Sequence, residues 1–156
     1  MSANAYPPVK VGLLGLGTVG GGVTRVLARN AEEISRRAGR EIVITHAAAR
    51  NLDTTTANTT GMKLTGEALE VVDDPDVSII VELMGGYEPA RSLGLRALAN
   101  GKHVVTANKA LIARHGNEIF AAARAAGMMV GFEAAVAGGI PIIKAIREGL
   151  AGNRLE

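Results

Sequence analysis

A glycine-rich turn near the start of the chain is the feature that most restricts the fold. An apolar run over 9–14 precedes this turn, and apolar residues recur at a helical spacing from position 19 onwards. The turn matches the pattern G-x-G-x-x-G and consists of Gly15, Leu16, Gly17, Thr18, Val19 and Gly20. A strand, this pattern and a helix in that order predict the first unit of a dinucleotide-binding fold.

Each glycine of this turn has its own predicted role. Gly15 permits the tight turn, Gly17 lets the backbone approach a pyrophosphate, and Gly20 lets the helix pack closely on the strand. The phosphates would meet unpaired N–H groups and the positive end of the helix dipole. The alternative is a glycine-rich turn that binds no ligand. A Walker-type phosphate loop is disfavoured because no Gly-Lys-Ser/Thr sequence follows.

Strand-like and helix-like segments alternate along the rest of the chain. Further strands are predicted over 42–49, 77–83, around 104–105 and over 128–132, with a polar loop over 51–61. Helices are predicted over 19–39, 66–71, 89–100 and 141–149, with one more capped by Asn108 and another capped by Asn117 that ends at Gly127. This alternation predicts an α/β, Rossmann-like, doubly wound domain over 9–154, whose mostly parallel sheet has helices on both faces.

Composition narrows the class of protein further. The net charge is only +2, aromatic residues make up 3%, and the sequence contains no basic stripe with interleaved aromatics. Nucleic-acid binding is therefore not predicted. No run reaches the about 20 consecutive apolar residues that a membrane span requires. The chain has no cysteine, which excludes disulfides and thiolate chemistry within it. Residues 1–8 lack the features of a secretory signal, so we expect a flexible leader there and a cytoplasmic protein.

The residues after the second predicted strand favour one cofactor over another. An acidic side chain there would accept hydrogen bonds from the ribose of NAD, whereas an arginine accommodates the 2′-phosphate of NADP. The chain has Arg50 at this place and no carboxylate until Asp53. We therefore expect NADP in preference to NAD, with Lys63 as a second positive charge. The alternative is that Arg50 is an exposed loop arginine.

Three later segments, together with the glycine turn, resemble homoserine dehydrogenase in order and spacing. They are VELMGGYEPA at 81–90, GKHVVTANK at 101–109 and EAAVAGGIP at 133–141. The resemblance covers 9–154 and implies NAD(P)-dependent interconversion of L-homoserine and L-aspartate 4-semialdehyde, a step of threonine and methionine biosynthesis, by enzymes that are commonly homodimers. It also implies that the substrate domain is absent from this chain, which should bind cofactor but be inactive alone.

Lys109 is the candidate catalytic residue. With Asn108 as the helix cap, Lys109 lies in the first helical turn, where a cation opposes the dipole by about 0.3–1 kcal/mol. It also follows the carboxyl end of a predicted strand, where open α/β sheets bind ligands. The resemblance implies a lysine near nicotinamide and substrate, able to bind the substrate oxygen or transfer its proton. The alternative is a solvated surface lysine.

Two more groups complete the predicted site. Gly85 and Gly86 would let the ribose or nicotinamide of the cofactor pass close to the backbone, although a turn with φ > 0 requires glycine in any case. The resemblance implies a monovalent cation, sodium, at the positions Glu133, Val136, Gly138 and Ile140. The alternative is that Glu133 pairs with a nearby lysine.

Two other functions compete with a homoserine dehydrogenase. One is a sensing module that binds NAD(P) without chemistry, but such a module has no need of Lys109. The other is the cofactor domain of a different semialdehyde dehydrogenase. Enzymes of that kind commonly use a cysteine nucleophile, which this chain does not contain.

Overall fold

A parallel sheet of six strands forms the centre of the molecule, in the order β3-β2-β1-β4-β5-β6. The computed structural model describes residues 6–52 and 57–154, so most of the predicted leader and Asp53 lie outside the described residues. The strands are β1 (Val9–Leu14), β2 (Ile42–Ala48), β3 (Lys63–Thr65), β4 (Ile79–Glu82), β5 (His103–Thr106) and β6 (Val130–Gly131). The predicted Rossmann-like parallel sheet is confirmed.

Helices lie on both faces of this sheet. They are α1 (Thr18–Arg29), α2 (Ala31–Ala38), α3 (Ala68–Asp73), α4 (Ala90–Ala99), α5 (Lys109–Ala126), α6 (Ala134–Ala137) and α7 (Ile142–Lys144), the last continued by a π-helical turn, Ala145–Gly149. The first two helices contact β2, while α3, α4 and α5 follow one another along the other face, over β1, β2, β4, β5 and β6. Among the described residues, no helix is both long and apolar enough to cross a membrane.

Adjacent residues of β1 show how the two faces are built. Side chains alternate between faces along a strand, so Gly12 and Leu13 point in opposite directions. A Cβ at Gly12 would lie 2.6 Å from Cγ1 of Val71, because α3 packs directly on this strand. On the same face, Leu14 joins the larger hydrophobic core with Ile80. Leu13 belongs to a smaller core on the opposite face, beside α1.

The predicted helix over 19–39 is wrong in its continuity and in its buried face. Asn30, with φ −110° and ψ 20°, ends α1 and precedes α2. An asparagine side chain competes with helical backbone bonds, and no single apolar stripe runs through both helices to keep them joined. The buried residues of α1 are Gly20, Gly21 and Thr24. Val19 and Val26, which the spacing placed on the inner face, are 55% and 46% exposed.

The predicted helix start at Asn117 is also wrong, because α5 runs unbroken past it from Lys109 to Ala126. Asn117 is exposed, so its low helix propensity costs little there. Leu111 and Ile119 are buried on the inner side of the same helix. Burial of an apolar face on both sides of Asn117 therefore outweighs the local preference of asparagine for a cap.

The edge strand β3 is an element that the sequence did not predict. It has only three residues, Lys63–Thr65, and only Thr65 is buried. The predicted strands 77–83 and 128–132 are confirmed with shorter bounds, Ile79–Glu82 and Val130–Gly131, and the helix predicted over 66–71 begins and ends two residues later. A short polar strand carries no apolar run of its own, so only its pairing with β2 defines it.

A buried polar cluster joins the amino-terminal half of the sheet to α3. His46 is 1% exposed, and its Nδ1 lies 2.8 Å from Oδ2 of Asp74. The ammonium of Lys102 donates to the carbonyl oxygens of Asp74 and Val77, at 2.5 and 2.6 Å. Burial lowers the pKa of Lys102, partly offset by the nearby carboxylates of Asp74 and Asp73. This cluster lies away from the glycine turn and serves the packing of the fold.

Candidate functional site

The carboxyl ends of three neighbouring strands lie level with one another. Leu14, the last residue of β1, pairs with Glu82, the last residue of β4, which in turn pairs with Thr106, the last residue of β5. The turns that follow these strands therefore lie together at the carboxyl end of the sheet. They carry the glycine turn, the Gly85–Gly86 pair and Lys109, which the sequence had placed on the ligand side of the sheet.

The glycine turn is closed on one side and open on the other. Gly15 has φ 106°, and its N–H donates to the carbonyl oxygen of Ala48 at 2.8 Å. A Cβ at Gly20 would lie 2.0 Å from the carbonyl oxygen of Gly15, so the helix meets the turn in direct backbone contact. Among the described residues, a Cβ at Gly17 would have no neighbour within 4 Å. These residues leave the backbone around Gly17 accessible to a ligand.

The start of α1 offers N–H groups that have no acidic residue in their own helical turn. Gly17 precedes the helix with no side-chain cap, and the first turn contains no acidic residue. Thr18 and Val19 are exposed, while Leu16 is 4% exposed and belongs to the smaller core. Uncapped N–H groups and the positive end of the dipole favour a bound anion, and the turn therefore fits a diphosphate.

The turn after β4 is held by a buried carboxylate that the sequence analysis missed. Gly85 and Gly86 have φ values of 75° and 73° and are exposed. Glu82, 1% exposed, accepts hydrogen bonds through Oε1 from the N–H groups of Met84 and Gly85, at 2.8 and 3.3 Å. Its Oε2 accepts from the hydroxyl of Thr106 at 2.6 Å. A carboxylate at the end of an apolar run was the only signal of this role in the sequence.

Lys109 is the first residue of α5 and is exposed. The predicted cap at Asn108 is confirmed, because its Oδ1 accepts from the N–H of Leu111 at 3.1 Å. The amide nitrogen of Asn108 donates to the carbonyl oxygen of Gly86 at 2.6 Å. Lys109 forms no ion pair within the part of the chain that the structure describes, and no acidic residue shares its turn. The ammonium therefore lies at the positive end of a long helix without a compensating charge.

The two cations predicted near the cofactor ribose lie in different places. Arg50 is exposed, directly beyond β2, and forms no ion pair with the described residues. Lys63 pairs with His46 in the sheet register. His46 comes four residues before Arg50, a separation of about 13 Å along a strand. Its ammonium lies 3.7 Å from a carboxylate oxygen of Glu70. The structure thus does not bring Lys63 to the end of β2 where Arg50 lies.

The segment predicted to bind a cation is organised around Glu133. The carboxylate of Glu133 accepts hydrogen bonds from the N–H groups of Ile143 and Lys144, at 2.8 and 3.1 Å, so it contacts the backbone of that lysine. The carbonyl oxygen of Ile140 accepts from Ile142. Among hydrogen bonds between described residues, the carbonyl oxygens of Val136 and Gly138 accept none, and no cluster of three or more His, Asp or Glu side chains forms a metal site there. The atoms of this segment that could bind a cation are therefore hard oxygen ligands.

Ion pairs hold the helices beside this edge together. Arg91 of α4 donates to the carboxylates of Glu118 on α5 and of Glu88. The guanidinium of Arg91 lowers the pKa of Glu118, and hydrogen bonds from Ser92 and Arg91 lower the pKa of Glu88. Both acids therefore stay ionised at neutral pH. The ring of Tyr87 packs edge-on against His115, with centroids 5.9 Å apart, which attaches the turn after Gly86 to α5.

Comparison with known proteins decides the family. The sequence model described as "Homoserine dehydrogenase, NAD binding domain" matches residues 15–133. The chain belongs to this family. The homoserine dehydrogenase of Pseudomonas aeruginosa is 60% identical over 148 residues, which cover 95% of this chain and 34% of that protein. The homoserine dehydrogenase of Neisseria gonorrhoeae is 53% identical over 149 residues, 96% of this chain and 34% of that protein. The chain thus spans about a third of these curated homoserine dehydrogenases.

Solved homoserine dehydrogenases have the same fold in the matching region. The crystal structure from Thiobacillus denitrificans superposes with a TM-score of 0.92 at 67% sequence identity, covering 96% of this chain and 35% of that one. A structure from S. aureus superposes with a TM-score of 0.79 at 39% identity, covering 86% and 34%. The region matched to the homoserine dehydrogenase family begins at Gly15 and ends at Glu133, so it contains the glycine turn, the Gly85–Gly86 pair and Lys109.

Proposed function

We propose that this chain holds the cofactor of a longer NAD(P)-dependent enzyme that interconverts L-homoserine and L-aspartate 4-semialdehyde. One observation carries the proposal: the turn around Gly17, where α1 begins without a side-chain cap, and Lys109, which has no ion pair among the described residues, lie at the same end of the parallel strands. At this end of the strands, the anion site suits a diphosphate and the cation suits a polar substrate that lies next to it. Membership of the homoserine dehydrogenase family supports the choice of substrate.

We propose that separate turns hold separate parts of the cofactor. The N–H groups around Gly17 and Gly20 would bind the pyrophosphate, and the Gly85–Gly86 turn would lie along the nicotinamide ribose. When bound, the nicotinamide would supply the hydride acceptor for oxidation of homoserine at its hydroxyl carbon, or the hydride donor for reduction of the semialdehyde at its aldehyde carbon. Lys109 would bind the substrate oxygen and give it a proton when the aldehyde is reduced, or take that proton when the alcohol is oxidised.

The substrate pocket needs more than these residues. Hydride transfer requires the reacting carbons to be held at contact distance, and residues on one side of a cleft do not provide this alone. We therefore expect the chain to bind cofactor and to turn over homoserine negligibly by itself. The longer enzyme is expected to be a cytoplasmic homodimer. A purified chain with ordinary dehydrogenase turnover would contradict this expectation.

Arg50 supports a preference for NADP. Replacing Arg50 by alanine should weaken NADPH binding by about 10- to 150-fold, because a charge-assisted hydrogen bond to the 2′-phosphate contributes about 1.5–3 kcal/mol. NADH, which lacks this phosphate, should bind within about twofold of the wild type. Titration calorimetry with both nucleotides measures the difference. Arg124→Ala is the matched control, because it removes an equal charge at the far end of α5. Equal NADPH affinity in wild type and Arg50→Ala would remove Arg50 as the phosphate ligand.

We further propose a sodium ion in the segment from Glu133 to Ile140. The carbonyl oxygens of Val136 and Gly138 and the carboxylate of Glu133 are ligands of the type that hard cations prefer. Glu133 can still ligate a cation while it accepts backbone hydrogen bonds, because each carboxylate oxygen has two lone pairs.

Thermal unfolding tests the cation proposal. At concentrations about tenfold above the dissociation constant, sodium chloride should add about 1.4 kcal/mol of stability, or a few degrees in Tm, relative to choline chloride of equal ionic strength. Glu133→Gln should abolish the difference, whereas Glu148→Gln, a change of an exposed acid, should keep it. Equal melting curves of the wild type in both salts would exclude the site.

A further inference from the structure

A continuous chain of hydrogen bonds joins the turn after β4 to the start of α5. Glu82 binds the N–H groups of Met84 and Gly85 on one side and the hydroxyl of Thr106 on the other. The Thr106 oxygen accepts from the backbone N–H of Asn108 at 3.0 Å. The side chain of Asn108 closes the chain by donating to the carbonyl oxygen of Gly86. We call Glu82, Thr106 and Asn108 the bridge.

The bridge permits only one arrangement of its hydrogens. Its three side chains are 1%, 2% and 6% exposed, so water does not replace a lost partner. The backbone N–H of Asn108 only donates, so the oxygen of Thr106 accepts from it, and the single hydroxyl hydrogen of Thr106 points to Glu82. A network in which every donor and acceptor is assigned resists rearrangement more than one with alternatives.

Asn108 does more than helix capping requires. Its Oδ1 caps α5 at the N–H of Leu111, a role that serine, threonine or aspartate fills as well. The amide of Asn108 donates from a second atom, its nitrogen, while the oxygen caps the helix, and this nitrogen reaches the carbonyl oxygen of Gly86 at 2.6 Å. The second hydrogen bond fixes the Gly85–Gly86 turn against the helix that begins with Lys109.

We propose that Asn108 is a positioning residue for the nicotinamide half of the cofactor, held in place by Thr106 and Glu82. It keeps the Gly85–Gly86 turn, which would contact the nicotinamide ribose, at a fixed distance from Lys109. The proposal rests on the proposed function, because it takes the Gly85–Gly86 turn as the nicotinamide seat. The adenine half depends on other contacts, since Gly15 is held by Ala48 and Gly20 packs on Gly15.

Two ligands that differ by the nicotinamide and its ribose separate this role from general stability. NADPH contains both halves of the cofactor, whereas 2′-phospho-ADP lacks the nicotinamide and its ribose and keeps the adenine half with the diphosphate. Asn108→Ser retains an oxygen for the helix cap but is too short to reach Gly86. In titrations of this chain, Asn108→Ser should bind NADPH about five- to tenfold more weakly, the effect expected for about one lost hydrogen bond. Its affinity for 2′-phospho-ADP, which lacks the ribose proposed to contact the Gly85–Gly86 turn, should stay within about twofold of the wild type.

A matched pair at Thr106 gives an independent test. Thr106→Val keeps the shape of the side chain but removes the hydroxyl that links Glu82 to Asn108, so it should reproduce the selective loss of NADPH affinity. Thr106→Ser keeps the hydroxyl and should fall nearer the wild type than Thr106→Val. Urea unfolding of each variant confirms that the compared proteins are folded.

The outcomes are distinct. A selective loss for NADPH in Asn108→Ser and Thr106→Val supports the bridge as a positioning device. Wild-type affinity for both ligands in Asn108→Ser, or an equal loss for both, overturns it and leaves the proposed function intact. A wild-type chain that binds neither ligand overturns the proposed function itself, and this inference with it.

Discussion

Replacing Gly20 by alanine is expected to reduce the affinity for nicotinamide nucleotides by at least about 100-fold, because the turn must move and about two or more charge-assisted hydrogen bonds to the pyrophosphate are lost. The added Cβ would lie 2.0 Å from the carbonyl oxygen and 2.9 Å from the carbonyl carbon of Gly15. Gly15 does not yield easily, because its N–H is bonded to Ala48 at the end of β2. Overpacking of this kind also costs about 1–3 kcal/mol of stability.

The same helix contains the control for this substitution. A Cβ at Gly22 would meet nothing within 4 Å among the described residues, although Gly22 lies only two residues further along α1. Gly22→Ala should therefore bind nucleotide normally and gain about 0.5–1 kcal/mol, since alanine favours a helix over glycine. Nucleotide titration and urea unfolding of both variants measure the two effects. Normal affinity in Gly20→Ala would show that the turn does not position the pyrophosphate.

Replacing Lys109 by methionine should have the largest effect on catalysis. In the full-length enzyme we expect kcat to fall by about 10²–10⁴-fold, the range found when a group that transfers a proton is removed. The stability of the chain should not fall with it. Lys109 begins α5, where a cation opposes the helix dipole, so its removal should stabilise the fold by about 0.3–1 kcal/mol.

Arg124, in the last turn of α5, provides a control of opposite sign. A cation there interacts favourably with the dipole, so Arg124→Met should lower stability slightly and leave turnover unchanged. Steady-state kinetics of the full-length variants and unfolding of this chain give both readouts. Turnover within about tenfold of wild type in Lys109→Met would be below the usual contribution of proton transfer and would favour a surface lysine.

The predictable part of the fold consists of elements whose signal is local. The glycine turn was predicted because the residues of one short segment carry the whole pattern. Its place beside Gly85–Gly86 and Lys109 followed from topology, since the carboxyl ends of parallel strands share an edge. The break at Asn30 and the continuity of α5 through Asn117 were not predicted correctly. In α5, burial of the inner face on both sides of Asn117 decides the outcome, and local propensity does not contain that information. At Asn30 no shared apolar stripe keeps α1 and α2 joined, so the local preference of asparagine ends the helix.

The unpredicted part of the site depends on register between distant strands. The bridge joins Glu82 to Thr106, which are 24 residues apart in the chain and neighbours only because β4 and β5 pair in one register. Lys63 was placed near the cofactor by its charge alone, and the register puts it level with His46 instead. Glu133 was expected to bind a cation or a lysine side chain, and its backbone partners lie ten and eleven residues onward. Sequence spacing does not specify such contacts.

The carboxyl ends of β1, β4 and β5 face the proposed ligand, so the amino ends of the strands are suitable for a spectroscopic reporter. Met129 immediately precedes β6, at the amino end of that strand, and is 69% exposed. The chain has no cysteine, so Met129→Cys would give it a single thiol for attaching a dye. A dye attached there would follow the folding of the domain from the side remote from the glycine turn. Fluorescence could then monitor unfolding while nucleotide is titrated at the other end of the strands.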